Sequence, residues 1–279
     1  SEMCIRDRVM TTKLWREAEG MRLSRAVFIN HIDREHANFD TIMAQLHARF
    51  GSRLGPVTIP IGVAEDFKGV IDVLRMKARY FDQDGTTDDR IEDIPAEYAE
   101  AAQIARDRLC DLVAEADDDL MMKYLDGSEQ LTQEELESLL DKAIAQELFI
   151  PVFVGSTIIK QGVQGVMEDI CTYFPHPASH GRFQMAGGDS IRIDESKRPA
   201  AFVFKTVSDQ FGKYNFIKLV SGKLTADMSL RNSRTGNTDK LGRLYTLKGK
   251  KNEEVKEICC GDIGLSLIHI SEPTRLRRI

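Results

Sequence analysis

Two short apolar runs, at residues 26–29 and 150–154, constrain the fold of this 279-residue chain more than any other feature. Each ends in polar or small residues and is followed by a segment with helical periodicity, at residues 36–50 and 162–173. A buried strand, a turn and a helix in this order are typical of an α/β sheet. Because ligands of such sheets collect beyond the carboxyl ends of the strands, the two turns are candidate sites.

The rest of the chain predicts two further kinds of structure. Residues 11–21 predict a helix, and residues 57–61 and 70–72 predict short strands. Amphipathic helices are expected at residues 96–114, 117–125 and 132–147, the last opened by a capping box from Thr132. Residues 200–208, 214–221, 227–232 and 240–247 alternate like half-buried strands, which favours an all-β barrel after a Gly-rich bridge.

Composition excludes several classes of protein. With 38 Lys and Arg against 44 Asp and Glu, the net charge is −6. The chain therefore lacks the overall positive charge that would indicate a nucleic-acid partner. The five cysteines have neither zinc-site nor disulfide-framework spacing, which favours idle thiols in a reducing cytoplasm. No apolar run approaches the roughly 20 residues that a membrane span needs, so no membrane contact is expected.

Both ends of the chain differ from the sequence between them. Residues 1–8 (SEMCIRDR) and 265–272 (LSLIHISE) can be encoded by reverse-complementary DNA, with CTG TCT CTT ATA CAC ATC TCC GA reading from Leu265 into Glu272. That element resembles the mosaic end of a transposon used to prepare sequencing libraries. Residues 1–8 and 265–279 are therefore interpreted as adapter-derived, and the authentic sequence is expected to begin and end within a longer gene.

The turn after the first apolar run carries side chains suited to reading a purine base. A carboxylate at Asp33 can accept from the N1 and N2 hydrogens of guanine together, and adenine offers no matching donor pair. The Asn30 amide has both a donor and an acceptor, so it can brace the loop and contact the N7 edge. Alone, Asn-x-x-Asp is more typical of an Asx turn that caps the next helix.

A small-residue turn, Gly155-Ser156-Thr157, follows the second apolar run. Its backbone N–H groups are candidates to meet the carbonyl of guanine. The alternative for Ser156 and Thr157 is a plain loop and N-terminal cap of the following helix. The two turns together favour a guanine site more than either does separately.

The order of these motifs resembles elongation factor G over nearly all of residues 11–264. The segments that carry the resemblance are AVFINHIDR (26–34), VTIPIGVAEDFKGVIDVLRMKARYF (57–81), IPVFVGST (150–157), GVQGVMEDICTYFPHP (162–177), AAFVFKTVSDQFGKYNFIKLVSGKL (200–224) and LGRLYTLKGKKNEEVKEICCGDIG (241–264). By this resemblance Asn30 and Asp33 match the guanine-reading Asn-Lys-x-Asp motif, and Ser156 and Thr157 match its Ser-Ala turn.

One motif position departs from the family and two motifs are absent. His31 stands where the motif has Lys, so either an imidazole stacks on the base or His31 is a solvated loop residue. No Gly-x-x-x-x-Gly-Lys-Ser/Thr phosphate loop occurs in the sequence. The resemblance places that loop and the Asp-x-x-Gly switch motif, with the Mg²⁺ ligands and the catalytic residues, upstream of Val9. No catalytic or metal-binding residue is therefore assigned.

The fold class expected from the resemblance is the C-terminal half of an α/β P-loop-GTPase-like domain with a mixed α/β insertion, followed by an incomplete all-β barrel. The expected divisions are the GTPase part at 9–61 and 148–185, the insertion at 62–147, a linker at 186–197 and barrel domain II at 198–264.

The resemblance implies a translation factor that moves tRNA and mRNA on the ribosome with GTP hydrolysis. GTP or GDP with Mg²⁺, ribosomal RNA and ribosomal proteins are the implied partners of the intact protein, expected to be a cytoplasmic monomer. The 279 residues alone are expected to be inactive. Alternatives are a ribosomal protection or recycling paralogue, and a ribosome-binding relative without GTPase activity. The basic run at 248–251 favours a solvated turn over an RNA contact, because Glu253 and Glu254 follow it.

Overall fold

The computed structural model of the chain describes residues 5–81, 90–126, 131–176, 179, 182–184, 190–209, 212–233, 236–249 and 251–267. Backbone contacts divide the chain into two units, Ser1–Pro175 and His176–Ile279. In the first unit the helices are α1 (Ile5–Gly20), α2 (Phe39–Phe50), α3 (Ala99–Ala114), α4 (Asp118–Leu125), α5 (Gln133–Ala145) and α6 (Val163–Tyr173). Its strands are β1 (Val27–Ile29), β2 (Leu54–Pro56), β3 (Thr58–Ile61), β4 (Gly69–Asp72), β5 (Lys77–Tyr80), β6 (Arg90–Glu92) and β7 (Ile150–Val154).

The two apolar runs form buried strands, as their pattern predicts, and the strands are neighbours in one parallel sheet. The strand order is β1-β7-β2, and the register places Val27 opposite Val152 and Ile29 opposite Val154. All five residues of β7 are buried, which explains why this strand reads as a continuous apolar run. The carboxyl ends of β1 and β7 therefore lie side by side.

Helices α1 and α2 pack together beside this sheet through aromatic side chains. The rings of Trp15 and Phe50 lie 4.2 Å apart, and the Arg25 guanidinium stands 5.0 Å from the centre of the Trp15 ring. Helix α2 begins where the Asn38 side chain accepts a hydrogen bond from the Thr41 N–H at 2.8 Å, an N-cap that satisfies one otherwise free donor.

An antiparallel sheet in the order β3-β4-β5-β6 and helices α3, α4 and α5 lie between the two apolar runs in sequence. The strand predicted at 57–61 forms as β3 at 58–61, and a further strand, β2, directly precedes it. Between them Val57 changes partners, because its N–H donates to Val152 while its carbonyl accepts from Val73. Strand β2 then belongs to the parallel sheet and β3 to the antiparallel one. The capping box predicted at the start of α5 is present, with Thr132 and Glu135 bonded reciprocally.

The first unit has two apolar cores. One lies among β3, β4, the helices α3 and α5, and the buried rings of Phe149 and Phe153. The other lies under the parallel sheet and includes Ile29, Ile32 and Met43. Among the described helices of the chain, none is long and apolar enough to cross a membrane.

In the second unit, the elements that the structure describes are β-strands. They are β8 (Arg182–Gln184), β9 (Ser190–Arg192), β10 (Ala200–Asp209), β11 (Gly212–Ser221), β12 (Leu224–Thr225), β13 (Ser229–Arg231), β14 (Thr238–Lys240), β15 (Leu244–Lys248), β16 (Lys251–Val255), β17 (Glu257–Ile258) and β18 (Ile263–Leu267). Five form one antiparallel sheet in the order β10-β11-β18-β15-β16, and β8-β9, β12-β17 and β13-β14 form pairs. Ile217, Leu219 and Leu244 lie in its core.

Strand β18 is the middle strand of the five-stranded sheet and crosses the boundary expected at residue 265. Leu265 pairs with Phe216 of β11 and Tyr245 of β15, and Ser266 pairs with Asn215 and Leu244. Leu265 is 2% exposed and Ser266 is fully buried. The residues interpreted as adapter-derived therefore supply part of a central strand.

The described residues of the basic run at 248–251 lie where β15 ends and β16 begins, and Lys250 is outside the described residues. Lys248 pairs with Lys251 across the turn, and Gly249 has a left-handed backbone with φ of 61°. The Lys248 Nζ atom lies 3.0 Å from Glu253, on an exposed surface. An ion pair in this position is consistent with the interpretation of the run as a solvated turn.

Candidate functional site

The turns after β1 and β7 contact each other at the carboxyl edge of the parallel sheet. The Gly155 N–H donates to the Ile29 carbonyl at 3.0 Å, and the Ile32 N–H donates to the Gly155 carbonyl at 3.4 Å. These bonds continue the strand pairing past the end of the sheet. The structure thus brings together the two segments that the sequence selects as the candidate site.

The Asn30 side chain joins the two turns. Its Nδ2 atom donates to Thr157 Oγ1 at 3.0 Å, and its Oδ1 atom accepts from the Thr157 N–H at 2.9 Å. The same oxygen accepts from the N–H of His31 at 2.9 Å. One exposed amide therefore fixes the conformation of both turns, which is the bracing function that the sequence predicts for Asn30.

Asp33 lies in the same turn, after the fully buried Ile32. Ile32 is fixed by the N–H of Ala64, which donates to its carbonyl at 2.9 Å. The Asp33 side chain is half-buried, and its buried Oδ1 atom has no hydrogen-bond partner within the described part of the chain. Because a buried acceptor without a donor costs about 1–3 kcal/mol, this oxygen is suited to accept from a ligand.

His31 has an unusual backbone and an unsatisfied side chain. Its φ is 61°, in the left-handed region that costs free energy for a residue with a Cβ. Its Nε2 atom lies 3.4 Å from Asn30 Nδ2, and its buried Nδ1 atom is unpartnered among the described residues. The imidazole is half-buried, which excludes a fully solvated side chain.

The second turn is closed by a bridge that sequence reasoning missed. Ser156 and Gln161 exchange two backbone hydrogen bonds of 3.0 Å, so residues 156–161 form a closed loop. Ser156 is fully buried and Gln161 is 8% exposed. Within the described ranges, Ser156 Oγ and Gln161 Oε1 have no partner. The signal that could have identified Gln161 is the pair of flanking glycines, Gly155 and Gly162.

Both flanking glycines are required by close packing. A Cβ on Gly155 would lie 2.5 Å from the Gln161 carbonyl oxygen. Gly162 has a φ of 78°, and a Cβ there would lie 2.8 Å from the Val154 carbonyl oxygen. The loop therefore approaches β7 too closely for any larger residue at either position.

Backbone donors in this turn are already engaged. The Ser156 N–H donates to Gln161, and the Thr157 N–H donates to Asn30. To bind in this turn, a ligand carbonyl would have to displace Asn30 Oδ1 as the acceptor of the Thr157 N–H. Asn30 Oδ1 would keep its hydrogen bond from the His31 N–H.

A surface groove of about 640 Å³ lies beside the turn along α6. Of the five residues selected from the sequence, only Thr157 lines it; the other lining residues are Lys160, Val163, Gln164, Met167, Glu168 and Cys171. The groove is mainly apolar and lies on one face of the helix. In the part of the chain that the structure describes, no group of three or more His, Cys, Asp or Glu side chains could hold a metal ion.

Comparison with known proteins supports the resemblance in both units. Residues 198–270 match the family model described as elongation factor G domain 2. A crystal structure of a protein from Thermus thermophilus matches 92% of this chain with a TM-score of 0.76 and 28% sequence identity. The chain covers 36% of the length of that protein. The chain belongs to the elongation factor G family.

Proposed function

We propose that the chain is part of a translational GTPase of the elongation factor G type, in which Asn30, His31, Asp33, Ser156 and Thr157 bind the base of GTP or GDP. One observation carries the proposal: Asn30 joins two turns at the carboxyl edge of a parallel sheet, beside a carboxylate whose buried oxygen has no donor in the described part of the chain. Family membership supports the choice of a guanine nucleotide over other ligands of the same shape.

Recognition of guanine follows from the donors and acceptors of the site. The Asp33 carboxylate accepts from the N1 and N2 hydrogens of the base. The guanine carbonyl takes the Thr157 N–H from Asn30 Oδ1, and Asn30 Nδ2 turns toward N7 by exchanging its hydrogen bond to Thr157 Oγ1 for one to the base. A hydrogen bond to a charged group contributes about 1.5–3 kcal/mol, and adenine would leave the carboxylate unpaired at similar cost.

The phosphates and Mg²⁺ require other parts of the protein. The phosphate-loop pattern does not occur in the 279 residues, so this chain by itself is proposed not to hydrolyse GTP. In the intact protein, hydrolysis is proposed to drive movement of tRNA and mRNA on the ribosome through domain rearrangement. That protein would contact ribosomal RNA and ribosomal proteins, and we propose that it acts as a monomer in the cytoplasm.

His31 favours a second candidate function, a ribosome-binding relative that no longer hydrolyses GTP. The Lys of the family motif has an aliphatic stem that packs against the base. The side chain of His is shorter and offers a smaller surface for this packing. A His31→Lys variant separates the two functions. If His31 stacks on the base, the exchange changes guanine affinity by less than about threefold; a gain of tenfold or more indicates a site that has lost base binding.

Base binding can be tested with the chain as it is. Saturation-transfer NMR with GMP, AMP and XMP should detect GMP binding with a Kd of about 1 mM, because the base supplies the contacts and the phosphate loop is absent. GDP binding by calorimetry is expected to be weaker than micromolar. An Asp33→Asn variant should prefer XMP over GMP, since an amide can donate to the second xanthine carbonyl.

An exposed Asp that does not reach the turns, Asp93, supplies the matched control. Asp93→Asn should keep the GMP preference. Equal binding of GMP and AMP by the unmodified chain, or unchanged GMP preference in Asp33→Asn, would remove Asp33 from base recognition. Micromolar GDP binding would contradict the proposal that phosphate contacts dominate affinity in the family.

A further inference from the structure

A buried charged cluster joins the antiparallel sheet to α6, away from the two turns. Arg75, in the turn after β4, contacts Asp72 Oδ2 at 2.7 Å through its Nη1 atom and Asp169 Oδ1 at 3.5 Å through the same atom. Its Nη2 atom donates to the Tyr173 hydroxyl at 3.3 Å. Asp169 and Tyr173 belong to α6, so one guanidinium connects a strand end to the last two turns of that helix.

The charges of this cluster do not balance. The side chains of Asp72 and Asp169 are 4% and 6% exposed, whereas that of Arg75 is 41% exposed. Two nearly inaccessible carboxylates thus share one guanidinium on the solvent side. Asp72 has the better geometry, because its Oδ1 atom also accepts from the Arg75 N–H at 2.9 Å. Asp169 is left with the longer contact.

The other charged groups near α6 do not compensate for Asp169. Arg79 of β5 donates to Glu168 at 3.2 Å and exerts a weaker attraction on Asp169. Glu137 of α5 contributes negative charge near Tyr173. Burial, and then the charge of Asp72, raise the pKa of Asp169 to about 6, with Arg75 opposing them. Burial also raises the pKa of Tyr173 to about 12, so the phenol stays neutral.

We propose that Asp72, Arg75 and Asp169 form a proton-dependent joint, in which a protonated Asp169 holds α6 on the antiparallel sheet and an ionised Asp169 weakens that contact. The direction of the pH dependence follows from the linkage between proton binding and folding. The folded chain raises the pKa of Asp169 above its ordinary value of 3.8, so the stabilisation is fully present below pH 3.8 and is lost as pH rises through about 6. Helix α6 follows the closed loop at 156–161 directly, so the joint sets how firmly that helix is held.

Comparison of the unmodified chain with Asp169→Asn tests the joint, because an amide imitates the protonated carboxyl. Melting temperatures are measured from pH 5 to 7.5, together with hydrogen exchange of the α6 amides at matched pH. Asp169→Asn should already melt somewhat higher at pH 5, where part of this stabilisation is lost, and the difference should grow as the pH rises. At pH 7.5 Asp169→Asn should melt about 2 °C or more above the unmodified chain and exchange more slowly in α6.

Asp93→Asn is the control, since Asp93 is exposed and its pKa is lowered by Lys77. Its difference from the unmodified chain should stay constant from pH 5 to 7.5. The carboxyl carbon of Asp169, followed by NMR in the unmodified chain, should titrate near pH 6. A midpoint below pH 4.5, or an Asp169→Asn difference that does not vary with pH, overturns the joint. If Asp169→Asn does not fold, the NMR titration alone decides.

Discussion

At the scale of single residues, the two turns contain buried polar groups whose burial costs free energy unless they are hydrogen-bonded. Asn30 meets its hydrogen-bonding capacity by joining the turns, but the buried oxygen of Asp33 and the buried Nδ1 atom of His31 lack partners in the described ranges. Left-handed backbone at His31 adds strain. Such costs persist where the surrounding fold enforces them, and they concentrate at ligand sites.

Gly155 provides a residue-scale test of the closed loop. Gly155→Ala places a Cβ against the Gln161 carbonyl and the Phe28 ring, so the loop must move away from β7. We expect a loss of about 1–3 kcal/mol in the free energy of unfolding, measured by urea denaturation. Gly20→Ala is the matched control, because a Cβ there meets nothing within 4 Å, and it should not destabilise. Equal effects of the two changes would mean that the close approach does not constrain the loop.

Part of this site could be predicted from the sequence and part could not. The meeting of Asn30 with Thr157 follows from two strands of one parallel sheet, since their carboxyl ends share an edge. The bridge between Ser156 and Gln161 depends on backbone hydrogen bonds, which any residue types can form. The left-handed conformation of His31 is only weakly indicated by residue type, because His is enriched in that region among non-glycine residues but far less than Gly.

At the scale of elements, α5 tests how much a local cap contributes within an apolar core. Thr132→Ala removes the acceptor for the Glu135 N–H and should cost about 1 kcal/mol in unfolding free energy. Thr172→Ala is the matched control in α6, where the hydroxyl donates to the Glu168 carbonyl within the helix and does not cap it. Chemical denaturation followed by circular dichroism should show destabilisation in the first variant and a change within about 0.5 kcal/mol in the second. The reverse order would exclude a stabilising cap.

The same elements show where sequence patterns are sufficient. The start of α5 was predictable, since a capping box requires specific residues three positions apart. Strand β2 was not predicted, because it directly precedes β3 and its separation from β3 at Val57 depends on partners distant in sequence, Val152 and Val73. Strand β6 was missed for another reason: all three of its residues are exposed, so it has no apolar alternation.

At the scale of the whole molecule, the first unit exposes large apolar side chains of a kind that proteins usually bury. Leu14 of α1 and Met167 of α6 are 57% and 63% exposed, and Ile170 of α6 is 44% exposed. Among the described strands, β1 pairs on one side only, with β7. Apolar patches and open strand edges are typical of contact surfaces and of aggregation. The chain covers about a third of the protein it matches, which is consistent with surfaces that other parts of a longer chain would cover.

The second unit depends on residues beyond the expected boundary at 265, and truncation tests this dependence. A chain ending at Gly264 loses three of the five residues of β18, including buried Leu265 and Ser266, and leaves β11 and β15 without much of their shared neighbour. Losing a central strand should unfold the five-stranded sheet, because both flanking strands then expose unpaired edges. A chain ending at Leu267 keeps every described strand and is the matched control.

Hydrogen exchange resolved along the chain should then show loss of protection in β11 and β15 for the shorter chain only, with the parallel sheet of the first unit unchanged. Retained protection in the shorter chain would show that residues 265–267 occupy the sheet without stabilising it. Loss of protection would show that residues 265–267 stabilise the sheet as a strand, since pairing uses backbone groups and the pleat requires only a buried residue at the Leu265 position. The family model matches the chain up to residue 270 and therefore includes residues 265–267, whose alternation is compatible with a strand irrespective of the DNA that encodes them.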